Sequence, residues 1–206
     1  MSSLRKPVSD PVETEAKIRV PSFVAVKRRI VAAGGRLMSA RTLETNTLVD
    51  SMSGMIRSSG KSFRVRRYGR QGSVTLKGVA RVVGGVKSRV ELETEVASPE
   101  VLARILASLG FFPQFRYEKF REVWRVGGAV LCLDDTPLGR FVEIEGTSAA
   151  IHRVAAQLGI GPDRFLSASY PALWYEAGRT GDMTFAAKPG VGASQTPGQP
   201  RKRGQA

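Results

Sequence analysis

The pattern Val-Glu-x-Glu occurs three times in this chain, at Val12–Glu15, Val90–Glu93 and Val142–Glu145. A segment with helical spacing follows each copy closely. In an extended strand side chains alternate between faces, so each glutamate pair projects to one side and its valine to the other. Six carboxylates on strand faces that converge are costly, because like charges repel and burial disfavours the ionised form. A fold that gathers these strands must supply cations: hard divalent metals with oxygen ligands, or interleaved lysines and arginines.

The other strand-like segments supply such cations with the same period. Phe63-Arg64-Val65-Arg66 sets Arg64 and Arg66 on one face, and Val74-Thr75-Leu76-Lys77 sets Thr75 beside Lys77. Lys119-Phe120-Arg121 pairs two cations, and Leu131-Cys132-Leu133-Asp134 presents Cys132 beside Asp134. Gly84-Gly85 reads as a hairpin turn. A half-exposed antiparallel sheet also alternates apolar-in and polar-out. Here, however, paired cations and paired acids recur on strand after strand, while the Val, Leu, Ile and Phe faces offer the helices a surface to pack on. The sheet is therefore expected to close with its charged face inward, around a polar lumen.

Three helices are signalled. Ser22 caps one carrying Phe23, Val26, Ile30 and Ala33 and stopped by Gly34-Gly35; Ser98-Pro99-Glu100 opens a second; Thr147 or Ser148 opens a third that Gly159 closes. Residues 1–11 and 177–206 read as flexible ends, the latter Gly/Pro-rich and carrying Lys188, Arg201, Lys202 and Arg203. Residues 12–176 form the expected domain, an α+β fold, and with 42% apolar residues the chain can build a core.

Composition narrows the chemistry. One cysteine, Cys132, rules out an intramolecular disulfide framework, and one histidine, His152, rules out multi-histidine metal sites. No window approaches the roughly 20 apolar residues of a membrane span, and the stretch MSSLRKPVSDP lacks a signal peptide's apolar run. A cytoplasmic protein without a membrane partner is expected. The net charge of +14 suits an anionic partner. Carboxylates with arginines and lysines in one cavity suit a polyphosphate carried with its metal. No Gly-x-x-x-x-Gly-Lys-Ser/Thr loop is present, so side chains must hold the phosphates.

These residues resemble the CYTH, or triphosphate tunnel metalloenzyme, family. Glu13-Thr14-Glu15-Ala16-Lys17 is similar to its ExExK signature. The likeness runs on through Phe63–Arg66, Val74–Gly78, Arg89–Glu93, Tyr117–Arg121 and Leu133–Glu145 in the family's order. The resemblance implies an eight-stranded antiparallel tunnel with helices outside, and ATP, thiamine triphosphate or inorganic tripolyphosphate as substrate. It implies that Glu13, Glu15, Glu143 and Glu145, with Asp134, bind Mg²⁺ or Mn²⁺, and that Glu13, Glu15, Glu91 and Glu93 serve catalysis. Lys17, Arg64, Arg66, Lys77, Arg89, Lys119 and Arg121 correspond to the phosphate ligands. Asn46-Thr47-Leu48-Val49-Asp50 departs from an aromatic pair common in relatives and leaves Asp50 as a further site candidate. The implied reaction is that of a class IV-type adenylate cyclase, ATP to cyclic AMP and pyrophosphate; a triphosphatase is the alternative. A binding module without turnover is the remaining one, and the paired glutamates disfavour a specific nucleic-acid partner. A homodimer is compatible with the sequence.

Overall fold

A computed structural model describes residues 10–186 of the chain. Residues 1–9 and 187–206, including the four basic tail residues named above, lie outside the described residues. Nine strands form one antiparallel sheet: β1 (Val12–Val20), β2 (Arg36–Ser51), β3 (Ser62–Tyr68), β4 (Gln71–Lys77), β5 (Arg81–Val83), β6 (Val86–Val96), β7 (Phe111–Val126), β8 (Ala129–Thr136) and β9 (Gly139–Glu145). Their order is β1-β9-β8-β7-β2-β3-β4-β6-β5, and a β1–β6 pairing closes the ring. β5 pairs with β6 through Arg81–Ser88 and Val82–Lys87, whereas β1 takes Lys87 and Ser88 on the opposite edge. β5 thus continues β4 after a break, and the closed barrel has eight strands.

The hairpin expected at Gly84-Gly85 joins β5 to β6. Both glycines have positive φ, 56° and 79°, as a tight two-residue loop matching the strand twist demands.

Helices cover the barrel from outside. α1 (Phe23–Ala32) is capped by Ser22, α3 (Pro99–Ser108) by Ser98 and α4 (Ser148–Gln157) by Thr147, each hydroxyl accepting a first-turn backbone N–H. Each follows a Val-Glu-x-Glu strand, β1, β6 or β9. Ile18, Leu131, Leu133, Val142 and Ile144 of the outer strand faces pack with Ile30 of α1 and Ile151 and Val154 of α4. Burying each such side chain stabilises by roughly 1.5–3 kcal/mol. Because these apolar faces meet helices outside, the alternate residues must face in. That is how the greasy core and the charged lumen come to share the same strands.

Two features differ from expectation. Asp50 is no lumen residue: its carboxylate accepts the backbone N–H groups of Ser51, Ile56 and Arg57 and so caps the short helix α2 (Met55–Ser58). Asp50 lies on β2 beyond Leu48, where the strand leaves the lumen wall. The folded unit also extends past residue 176. After α5 (Tyr170–Glu176) the chain returns to β7, where Met183 N–H donates to Arg116 O and Glu118 N–H to Met183 O, both at 2.9 Å. Asp182 accepts Arg116 N–H, and Met183 is fully buried. Composition hid this, since only Met183 and Phe185, whose ring packs 5.2 Å from that of Phe120, anchor an otherwise polar stretch.

Tyr170, Leu173 and Met183 also fill one end of the barrel. Phe115, Tyr117 and Phe141 lie on the same strand faces as Lys119, Arg121 and Glu143, and they pack with Tyr170, Leu173 and Met183 into an apolar cluster. The expected tunnel is therefore plugged at one end.

Candidate active site

The charged half of the lumen is a cavity of about 370 Å³. The sequence-expected residues Glu13, Glu15, Lys17, Arg64, Arg66, Lys77, Arg89, Glu91, Glu93, Lys119, Arg121, Glu143 and Glu145 all line it. β1 and β9 place Lys17 opposite Glu143 and Glu15 opposite Glu145, while β1 and β6 place Glu13 opposite Arg89. Strand alternation thus assembles the site from residues far apart in sequence.

The acids divide into two sets. Asp134 has no exposed surface and receives four bonds: Lys119 Nζ at 2.9 Å, Arg121 Nε and Nη2 at 2.7 Å each, and Tyr170 Oη at 2.8 Å. Glu143 meets Lys17 Nζ at 3.3 Å and the Arg121 guanidinium in a close contact. Burial alone would raise the Glu143 pKa, but Lys119, Lys17 and Arg121 outweigh it and hold the carboxylate ionised. Asp134 and Glu143, expected among the metal ligands, are therefore engaged in fixing cations. Both their oxygens already have partners.

Glu13, Glu15 and Glu145 form the second set: one oxygen of each lies within 4.8 Å of the others. Burial, followed by the nearby Glu143, Glu13 and Glu15 charges, pushes Glu145 up to about 7 against the partial opposition of Arg121. Burial and the hydrogen bond with Glu13 push Glu91 up to about 7 as well. For Glu13 itself the same burial is overcome by the Glu91 hydrogen bond and the Lys77 charge, and its pKa falls. Three converging carboxylate oxygens, one of them hard to ionise alone, fit a small hard cation. Such a cation would take carboxylate oxygens as ligands and add positive charge at Glu145, beside Glu13 and Glu15, which Lys77, Arg89 and Lys87 already pair.

The cations likewise fall into used and available ones. Lys119 and Arg121 are fixed by Asp134, Glu143 and Glu44. Lys77 Nζ bridges Glu13 and Glu91 at 2.7 Å each. Lys87 Nζ lies 2.5 Å from Glu15. Arg64 donates to Thr75 at 3.2 Å and Tyr117 at 3.4 Å and lies 3.5–3.8 Å from Glu93 and Glu91, and Arg89 lies 3.6–3.9 Å from Glu13 and Glu15, yet the Nε of each arginine is buried without a hydrogen-bond partner. Buried N–H groups without acceptors are uncommon and costly. Both belong to arginines lining the cavity, where an anion's oxygens would satisfy them. Glu93, more exposed than the rest, accepts from Thr75 at 2.6 Å.

Four contributors escaped the sequence reading. Glu44 is 1% exposed and contacts Lys119, Arg121 and Arg66 at 3.4–3.8 Å; Asn46 donates to it at 3.0 Å and accepts from Arg66 at 3.3 Å. Lys87 was visible two residues before Arg89, on the same strand face. Tyr170, from the C-terminal segment, carried no local signal.

The family model of the CYTH domain matches residues 12–158, and the chain belongs to the CYTH family. Among solved structures it is similar to a candidate adenylate cyclase from Vibrio parahaemolyticus, with a TM-score of 0.71 and 18% identity over 81% of this chain and 99% of that one. It is similar to the PH1012 protein of Pyrococcus horikoshii OT3, with a TM-score of 0.65 and 26% identity over 77% and 96%. A Hippeastrum protein described as a candidate adenylyl cyclase with a dominant triphosphatase activity aligns with a TM-score of 0.60 and 22% identity over 82% and 97%. No curated protein sequence matches the chain significantly.

Proposed function

We propose that this protein is a divalent-metal-dependent enzyme that cleaves a triphosphate inside the barrel. The observation that carries the reading is the joint presence, in one cavity, of a three-carboxylate cluster and two buried arginines with unpartnered Nε–H groups. In this reading Glu13, Glu15 and Glu145 hold Mg²⁺ or Mn²⁺, which supplies charge neutralisation at the phosphoryl oxygens. Arg64, Arg66 and Arg89, with Lys17, Lys77 and Lys87, line the path of the polyanion. Lys119 and Arg121 present their charge from positions fixed by Asp134, Glu44 and Glu143. Glu91, pushed up to about 7 by burial and its hydrogen bond with Glu13, would take a proton from the attacking oxygen.

Two reactions use this machinery. The cyclase reading follows the resemblance of single-domain members: the ribose 3′ oxygen attacks the α-phosphorus and pyrophosphate leaves. Hydrolysis of the terminal phosphoryl group is favoured by the cavity itself. It stands near the small end of ligand-site volumes, and 15 of its 22 lining residues are charged. Among the described lining residues the aromatic rings, Tyr117 and Tyr170, are buried against other side chains, so no ring lies open to stack a base. ATP and tripolyphosphate should each be incubated with Mg²⁺ or Mn²⁺ and the products identified by chromatography. Cyclic AMP with pyrophosphate establishes the cyclase; orthophosphate with ADP or pyrophosphate establishes the triphosphatase. No metal-dependent turnover of either would overturn the enzyme reading.

A further inference from the structure

The segment after α4 lies outside residues 12–158, over which the family model matches, and it reaches into the site. Leu166 N–H donates to Lys17 O at 2.8 Å, which ties the segment to β1. Ala168 O accepts from Lys17 Nζ at 3.1 Å. The Tyr170 ring lies 4.1 Å from Lys17 Nζ and 5.1 Å from Lys119 Nζ, measured to the ring centroid. Its hydroxyl donates to Asp134 at 2.8 Å, and Phe141 packs edge-on against it at 5.4 Å. Tyr170 therefore stands at the boundary between the apolar plug and the charged lumen, with one flank in each.

A residue needed only to fill the plug would require neither ring face nor hydroxyl on the charged side. Here both are in use. Two of the three groups around Lys17 Nζ come from this segment; the third is Glu143. Glu143 also receives Arg121 and so cannot by itself fix where the lysine points. A flexible four-carbon ammonium needs such restraint to present its charge at one place, and a ring face provides it without neutralising the charge.

We propose that Tyr170 is a positioning residue for substrate binding: its ring aims Lys17 into the lumen, and its hydroxyl holds Asp134 beneath Lys119 and Arg121. The C-terminal segment is then part of the active site. This inference rests on the triphosphate reading for its kinetic consequence but not for its geometry, and the two are tested separately.

The full chain, labelled for NMR, reads the geometry directly. The ε-methylene protons of Lys17 should be displaced upfield by the ring current in the wild type and in Tyr170→Phe. They should return to the ordinary lysine position in Tyr170→Leu. An undisplaced Lys17 signal in the wild type overturns the proposal, whatever the activity. In turnover with tripolyphosphate and Mg²⁺, Tyr170→Leu should raise KM by about tenfold to thirtyfold, the range a desolvated cation–π contact supports. kcat should change far less. Tyr170→Phe, which keeps the ring, should recover most of that loss. A purely structural role would instead lower the active fraction and leave KM alone, so an unchanged KM in folded Tyr170→Leu also overturns it. Absence of wild-type turnover would sink the triphosphate reading while leaving the ring-current result to decide the role of Tyr170.

Discussion

Met183 offers the sharpest test of where the fold ends. Its side chain has no exposed surface and sits in the apolar cluster with Phe115, Tyr117, Phe141, Tyr170 and Leu173. Truncation to alanine removes the buried thioether and leaves a void that ring-bearing neighbours fill poorly. Met→Ala changes in cores cost about 2–5 kcal/mol. The backbone bonds of Met183 to Arg116 and Glu118 survive the substitution, so the loss is one of packing, and about 3 kcal/mol is a reasonable centre. For a domain of this size that corresponds to a fall in Tm of roughly 6–12 °C. Thermal unfolding followed by circular dichroism would measure it. Met52→Ala, at a residue 83% exposed, serves as control and should lie within about 0.5 kcal/mol of wild type. If Met183→Ala unfolds at the wild-type temperature, the segment after α5 does not belong to the core and the plug is wrongly described.

Further outcomes follow from the site. Arg89→Ala should weaken tripolyphosphate binding with a small loss of Tm, whereas Arg121→Ala, which removes two of the four bonds to buried Asp134 and the contact with Glu143, should cost about 3 kcal/mol of stability; isotherms and melting curves separate the two, and equal Tm losses would refute the division into available and fixed cations. Glu145, held up at about 7 against an ordinary 4.5, keeps a proton in the folded state that the unfolded chain has already released. Its contribution to stability is therefore complete below pH 4.5 and is lost as pH rises towards 7. A bound divalent ion should reverse the loss, so Mg²⁺ should raise Tm more at pH 8 than at pH 6; an equal rise at both would refute the assignment. A chain ending at residue 186 should match the full chain in kcat, and one ending at residue 177 should not.

Much of this was legible because two periodicities coincide. Glu13/Glu15, Arg64/Arg66, Lys119/Arg121 and Glu143/Glu145 lie on strands whose intervening residues are apolar, so the period-two pattern shows both the strand and its charged face. Helices α1, α3 and α4 announced themselves through Ser22, Ser98 and Thr147, whereas α2 and α5 were not expected. Glu44 and Asn46 did not, because their outward neighbours on β2 are Thr45 and Thr47 and no apolar face marks the alternation. The separation of Asp134 and Glu143 from the converging acids Glu13, Glu15 and Glu145 was equally hidden. It depends on which cation each oxygen meets, and Asp134 is reached both by Lys119 and Arg121 of neighbouring β7 and by Tyr170 of α5. Tyr170 and Met183 were invisible for a related reason: each acts through long-range contacts, without a repeating pattern.

The central claim is that a carboxylate-held metal and a cationic wall together cleave a triphosphate. Its most direct test is turnover of tripolyphosphate and ATP by the wild type and by Glu13→Gln, with Mg²⁺ or Mn²⁺ and again after EDTA. Removing one metal-facing charge should lower kcat/KM by at least about a hundredfold, the scale on which a preorganised charge in a dry site acts, with Tm near that of the wild type. EDTA should abolish turnover, and added Mg²⁺ or Mn²⁺ should restore it. Turnover that persists undiminished in EDTA, or a folded Glu13→Gln enzyme with wild-type kcat/KM, would contradict the account.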